Sequence, residues 1–163
     1  MSFQLSFDHN KHDTNLLKLA NNLKLLLGVE YNNRDFEIEM DEDCQIPRLM
    51  SDTVCLYEPN AILRYLINDY HGIEDEEYER FVKKFDNLCH KEFGNKEDMQ
   101  SELQMEVAAD KYLQNLENNV TANDLILFAD VYSIDPELVS KNVPNIPSRI
   151  EHCILEANRI TRG

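Results

Sequence analysis

Phe3, Leu5 and Phe7 alternate with polar neighbours at the start of the chain, the period-two signature of a half-buried strand. From Thr14 to Leu27 the period lengthens to that of a helix, with Leu16, Leu19, Ala20, Leu23, Leu26 and Leu27 along one broad stripe. Asp13 or Thr14 is suited to cap its start, and Gly28 stands where a left-handed C-terminal residue is wanted. Alternation returns at Phe36, Ile38 and Met40, just ahead of the acidic run Asp41–Asp43. Short strands are expected from Arg48 to Met50 and from Val54 to Tyr57, joined by a turn at Ser51-Asp52. A helix from about Asn60 to Tyr70 follows.

Helices dominate thereafter. One starts in Glu74–Glu77, where acidic side chains complement the helix dipole, and carries Tyr78, Phe81, Val82, Phe85, Leu88 and Cys89. Gly94-Asn95 breaks the pattern before a long helix from about Lys96 to Leu116. Thr121 and Asp124 have the spacing of a reciprocal capping box, with Val120 and Leu125 at the staple positions, heading an apolar helix to Tyr132. Asp135-Pro136 opens a short helix, and a last one carries Ile150, Ile154, Ala157 and Ile160. The expected architecture is mixed α/β followed by all-α. Residues 1–70 form a small βα subdomain and residues 71–163 a helical one.

Hydrophobic residues make up 42% of the 163 and charged residues 29%, an ordinary balance for a soluble globular chain. The net charge of −15, from 31 acidic against 16 basic residues, repels a phosphate backbone, so direct nucleic-acid binding is not expected. It suits a basic protein partner instead. No apolar run reaches the length of a membrane span and no secretory leader precedes the first strand. Cys44, Cys55, Cys89 and Cys153 form no C-x-x-C pair, and reduced thiols packed as small hydrophobes in a cytosolic protein are expected. Cys89-His90 and His152-Cys153 are candidate zinc ligands by type, but neighbours on a helix diverge by about 100° and converge poorly. No metal site is expected.

The stretch Gln45–Leu66 carries the most information. An Ile46-Pro47 step precedes a strand, and Glu58-Pro59-Asn60 leads into a helix opening Ala61-Ile62 and carrying Tyr65-Leu66. This order resembles the thioredoxin-like half of glutathione transferases, in which V-P-x-L precedes L-x-E-S-x-A-I-x-x-Y-L. The resemblance implies a cis bond before Pro47 and a capping box at Thr121 and Asp124. It also implies an abbreviated thioredoxin-like subdomain, because nothing between Gly28 and Gln45 reads as the helix a full unit would carry. Catalysis would need a Tyr, Ser or Cys after the first strand to hold the glutathione thiolate. Ser6 has the right type, yet acidic Asp8 opposes a thiolate there, and Pro59 replaces the hydroxyl that would bind glutathione.

The whole chain is similar, more specifically, to the N-terminal transferase-like appendix of fungal cytosolic methionyl-tRNA synthetases. Met1-Ser2-Phe3, Ser6-Phe7-Asp8, Leu19–Lys24, Asn60–Tyr65 and Asp124–Ala129 with Val131-Tyr132 carry that resemblance. It implies a cytoplasmic module with no catalytic residue and no cofactor of its own, ATP serving only a separate catalytic domain. Such a module docks onto the transferase-like N-domain of a tRNA-binding aminoacylation cofactor, which also recruits glutamyl-tRNA synthetase. The chain is expected to be a monomer alone. Two faces are candidates. The first is the transferase dimer face, with Leu63, Arg64, Ile67 and Tyr70, and Tyr78, Phe81 and Phe85 on the next helix. The helix at 60–70 is apolar over more than twice the roughly 100° a surface helix needs, which favours this face. The second centres on Arg149. On the first reading, Leu63→Arg or Ile67→Arg abolishes partner binding and Arg149→Glu does not. A glutathione-dependent transferase and a homodimerising domain of an elongation factor are the alternatives.

Overall fold

The computed structural model describes residues 2–69, 79, 83, 121–137 and 148–162. Its chain divides into two compact units, Met1–Tyr70 with Ile146–Gly163, and His71–Asn145. The last helix, however, belongs to the first unit and not to the helical one.

In the first unit, β1 (Ser2–Ser6) leads into α1 (Asn15–Glu30), then β2 (Glu37–Met40), β3 (Arg48–Met50), β4 (Cys55–Leu56) and α2 (Pro59–Ile67). The sheet order is β2-β1-β3-β4, with β1 parallel to β2 and antiparallel to β3. This is the abbreviated thioredoxin-like unit: no helix intervenes between β2 and β3, so one sheet face has no helical cover from that connection. Phe3, Leu5 and Phe7 point into the core with Leu25, Leu49, Ile62 and Leu66. The Ser51 hydroxyl accepts from the Thr53 and Val54 amides and so closes the β3–β4 turn.

Thr14 caps α1, its hydroxyl accepting from the Leu17 amide. The helix does not end at Gly28. It runs on to Glu30 and is capped by Tyr31, whose φ of −97° is not left-handed. Gly28 serves close approach instead: a Cβ there would lie 3.3 Å from the Leu63 Cα and 3.0 Å from the Leu66 Cδ1 on α2. Pro59 takes the first helical position of α2, where no donor is needed, and Asn68 closes the helix with φ 55°.

The last helix, here α4 (Ser148–Arg162), packs on α1 through Cys153, Ala157 and Ile160. In the second unit, α3 (Ala122–Ile134) begins with the expected reciprocal box. Thr121 accepts from the Asp124 amide at 3.2 Å and the Asp124 carboxylate accepts from the Thr121 amide at 3.1 Å. Such caps contribute about 1 kcal/mol. Most of α3 is buried, polar Asn123 and Asp124 included. Apart from Glu79 and Lys83, the helices expected over 74–89 and 96–116, and Val120 of the staple, lie outside the described residues.

Candidate functional site

At the end of β1, where a transferase would present its thiolate-binding group, Ser6 is fully buried. Its hydroxyl donates to the Ile46 carbonyl at 2.6 Å. A hydroxyl so engaged is neither exposed nor free to meet a thiol. The Ile46-Pro47 bond expected to be cis is trans, since no cis peptide bond occurs among the described residues. Trans is the lower-energy form by about 0.5–1 kcal/mol when no turn demands otherwise. The Ile46 carbonyl meets both Ser6 and, at 3.6 Å, the Cys44 thiol. The Ser6 contact chiefly, with Ile46 and Arg48, draws that thiol below its ordinary value. Cys44 is half-buried, Cys55 exposed and Cys153 buried. Only Cys153 of these is packed as a small hydrophobe; Cys89 lies outside the described residues.

Asp8 has a structural part that the sequence pattern did not disclose. It is fully buried, its carboxyl oxygens accepting from the Asn10 amide and the Asn21 side chain at 3.0 Å each. Its own amide donates to the Asn22 Oδ1 at 2.7 Å, and the Asn22 Nδ2 donates to the Asp8 carbonyl and the Thr161 Oγ1. One buried Asn therefore ties the exit of β1 to the end of α4. The available signal was the Asn21-Asn22 pair itself, because Asn competes for backbone hydrogen bonds and is a poor choice inside a helix without a partner.

A hydrogen bond to Asp8, with burial and the Asp8 charge adding to it, raises the Asp13 carboxyl above its usual 3.8. An acid raised on folding holds its proton longer in the native state. This contact therefore stabilises the fold at acid pH, and its contribution falls as pH climbs from the ordinary carboxylate value through the raised one. The carboxyl carbon shift of Asp13, followed by NMR titration, should report a midpoint above 3.8 that moves back down in Asp8→Asn. A midpoint unchanged by that substitution would place the cause elsewhere.

The first candidate docking face does not reach solvent where it is described. Leu63 is 0% exposed, Ile67 4% and Arg64 8%. The surplus apolar surface of α2 is covered within this chain, and Gly28 is part of the reason, since it lets α1 come close to Leu63. Tyr65 completes an aromatic group with Phe3 and Phe36, and the Arg34 guanidinium lies 4.5 Å from its ring centroid. Tyr70, Tyr78, Phe81 and Phe85 fall outside the described residues.

The α4 helix behaves differently. Its outward positions include His152, Arg159 and Leu155, the last 72% exposed. Arg149 occupies its first turn. Arg159 pairs with Glu156 and holds that carboxyl below its usual range. His152 is exposed while the Cys153 thiol donates to the Leu26 carbonyl, so the two diverge. No group of three metal-ligating side chains gathers among the described residues. No helix among them is long and apolar enough to cross a membrane.

The pattern of the MetRS-N binding domain matches residues 10–132, three quarters of the chain and everything from the β1–α1 loop into α3. The chain belongs to the MetRS-N family. The cytoplasmic methionine–tRNA ligase of Saccharomyces cerevisiae is 35% identical to this MetRS-N domain over 162 residues, 98% of the chain. The chain spans 21% of that ligase's length. Among solved structures, a glutathione transferase homologue from Burkholderia gl BGR1 with bound glutathione has a TM-score of 0.49 at 14% identity, covering 98% of this chain and 99% of its own. The unclassified glutathione S-transferase 2 of Bombyx mori has a TM-score of 0.48 at 13% identity, covering 99% and 98%.

Proposed function

We propose that this MetRS-N domain is the non-catalytic docking module of a cytoplasmic methionyl-tRNA synthetase. It binds the transferase-like N-domain of a tRNA-binding aminoacylation cofactor and through it joins glutamyl-tRNA synthetase in one assembly. The docking surface is α4, with Arg149 in its first turn and Leu155 exposed. The observation that carries this reading is the 72% exposure of Leu155 on a helix whose opposite side is packed into the first unit. An apolar side chain flanked by charges is the usual composition of an interface centre and rim. Burial of Ser6 with its hydroxyl on Ile46 supports a module without transferase chemistry. The net charge of −15 supports a division of labour in which the cofactor supplies the RNA-binding surface.

Mixing the domain with the cofactor's N-domain on gel filtration tests this. Leu155→Arg, at an exposed position, should leave the fold unchanged by circular dichroism and abolish the complex, and Arg149→Glu should weaken it at least about tenfold, a typical loss at an interface anchor. A complex that survives both substitutions removes α4 from the interface. A domain that sediments as a homodimer by itself favours the elongation-factor-like reading instead.

A further inference from the structure

The strand order places β2 at an edge of the sheet, bonded to β1 on one side and to no strand on the other among the described residues. Asp41 donates its amide to the Leu5 carbonyl, which fixes the odd-numbered positions of β2 as the ones that bond to β1. In a parallel ladder the intervening residues turn their backbone groups the other way. Ile38 and Met40 therefore direct their N–H and C=O groups outward, and neither has a hydrogen bond on that side among the described residues. Glu37, Glu39 and Met40 are exposed, Met40 to 51%.

The charge along this edge is of one sign. From Asp35 to Asp43, six of nine residues are acidic and none is basic. One of them, Asp41, is paired to Arg48 across the β2–β3 connection at 2.5 Å. Glu37 and Glu39 project from the same sheet face as Ser2 and Gln4, a face on which Met50 and Asp52 line a shallow depression. Ile38 and Met40 project from the opposite face. An added strand would thus meet carboxylates on one side and apolar groups on the other, alternating with the strand's own period.

We propose that the β2 edge is a second docking site, distinct from the α4 face, which takes an extended protein segment with alternating basic and apolar residues. Backbone bonds to Ile38 and Met40 supply the register. Lys or Arg side chains lie beside Glu37 and Glu39, and apolar ones beside Ile38 and Met40. This is strand addition, in which main-chain bonds give affinity and alternate side chains give specificity. Charge complementarity selects the occupant: the −15 domain attracts a cationic segment, and on this edge the carboxylates are spaced for one in extended form.

The test uses the whole domain and a short, capped peptide of alternating Lys and Val as the probe, at physiological ionic strength. With the peptide at about ten times its dissociation constant, amide exchange at Ile38 and Met40 should slow about tenfold, the ratio expected when only the free edge exchanges. Glu37→Lys with Glu39→Lys should lose this protection, and Glu37→Gln with Glu39→Gln should reduce it; both pairs lie at exposed positions where folding is retained. A peptide N-methylated on the bonding edge should give none. Equal protection by a peptide of the same composition with its Lys and Val in separate blocks overturns the proposal, because attraction without register then explains the binding. So does binding that leaves the Ile38 and Met40 amides unprotected.

Discussion

Leu63→Arg is expected to leave no folded domain, and Leu63→Ala to lower the unfolding free energy by about 2–5 kcal/mol. Leu63 is fully buried, and its Cα stands opposite Gly28 of α1. Truncation to Ala removes packed methyl groups that α1 and α2, already in close contact, cannot collapse to replace. A guanidinium in the same position is cut off from water, a cost of several kcal/mol beyond the lost packing. Urea denaturation followed by circular dichroism measures the first variant. For the second, soluble yield and the cooperativity of unfolding decide. Should Leu63→Arg fold cooperatively and lose only its partner, α2 would be an outward face and the burial described above would be wrong.

Gly28 carries the second large effect, with a sign opposite to the one helix propensity gives. Replacing an interior helical Gly by Ala ordinarily gains about 0.5–1 kcal/mol. Here the new Cβ meets the Leu66 Cδ1 at 3.0 Å and the Leu63 Cα at 3.3 Å. Leu66 is fully buried and the Leu63 contact is backbone, so neither yields by rotating into solvent. Overpacking costs about 1–3 kcal/mol, enough to outweigh the propensity gain. Gly28→Ala should therefore destabilise, and Gly28→Val more so, because its branches press further into α2. A stabilised Gly28→Ala in the same urea titration would show that α1 and α2 can part at little cost.

The strands, α1, the box at Thr121 and Asp124, and the apolar stripe of α4 were legible because each follows a period or a cap that local chemistry enforces. Gly28 was misread for a definite reason. A Gly after a helical run is equally suited to a left-handed terminus and to helix–helix contact, and only α2, more than thirty residues later, decides between them. The excess apolar surface of α2 misled in the same way. Periodicity reports how much of a helix avoids water and not which molecule covers it. At Leu63 and Ile67 the cover is this chain. Asp8 was legible in type but not in role, because its partners Asn21 and Asn22 become neighbours only on folding, as does the Thr161 hydroxyl that accepts from Asn22 across almost the full length of the sequence.

The placement of α4 has a consequence for how the domain can be taken apart. The unit that holds the sheet is discontinuous in sequence, a host interrupted after Tyr70 and resumed at Ile146, with the other unit as the guest inserted between. A truncation after residue 70, the boundary that the sequence suggests, strips α4 from α1 and leaves Asn22 facing the place where Thr161 should be. It also discards the helix on which docking is proposed to occur. Keeping the sheet and its docking helix together therefore requires both sequence segments of the host, Met1–Tyr70 and Ile146–Gly163.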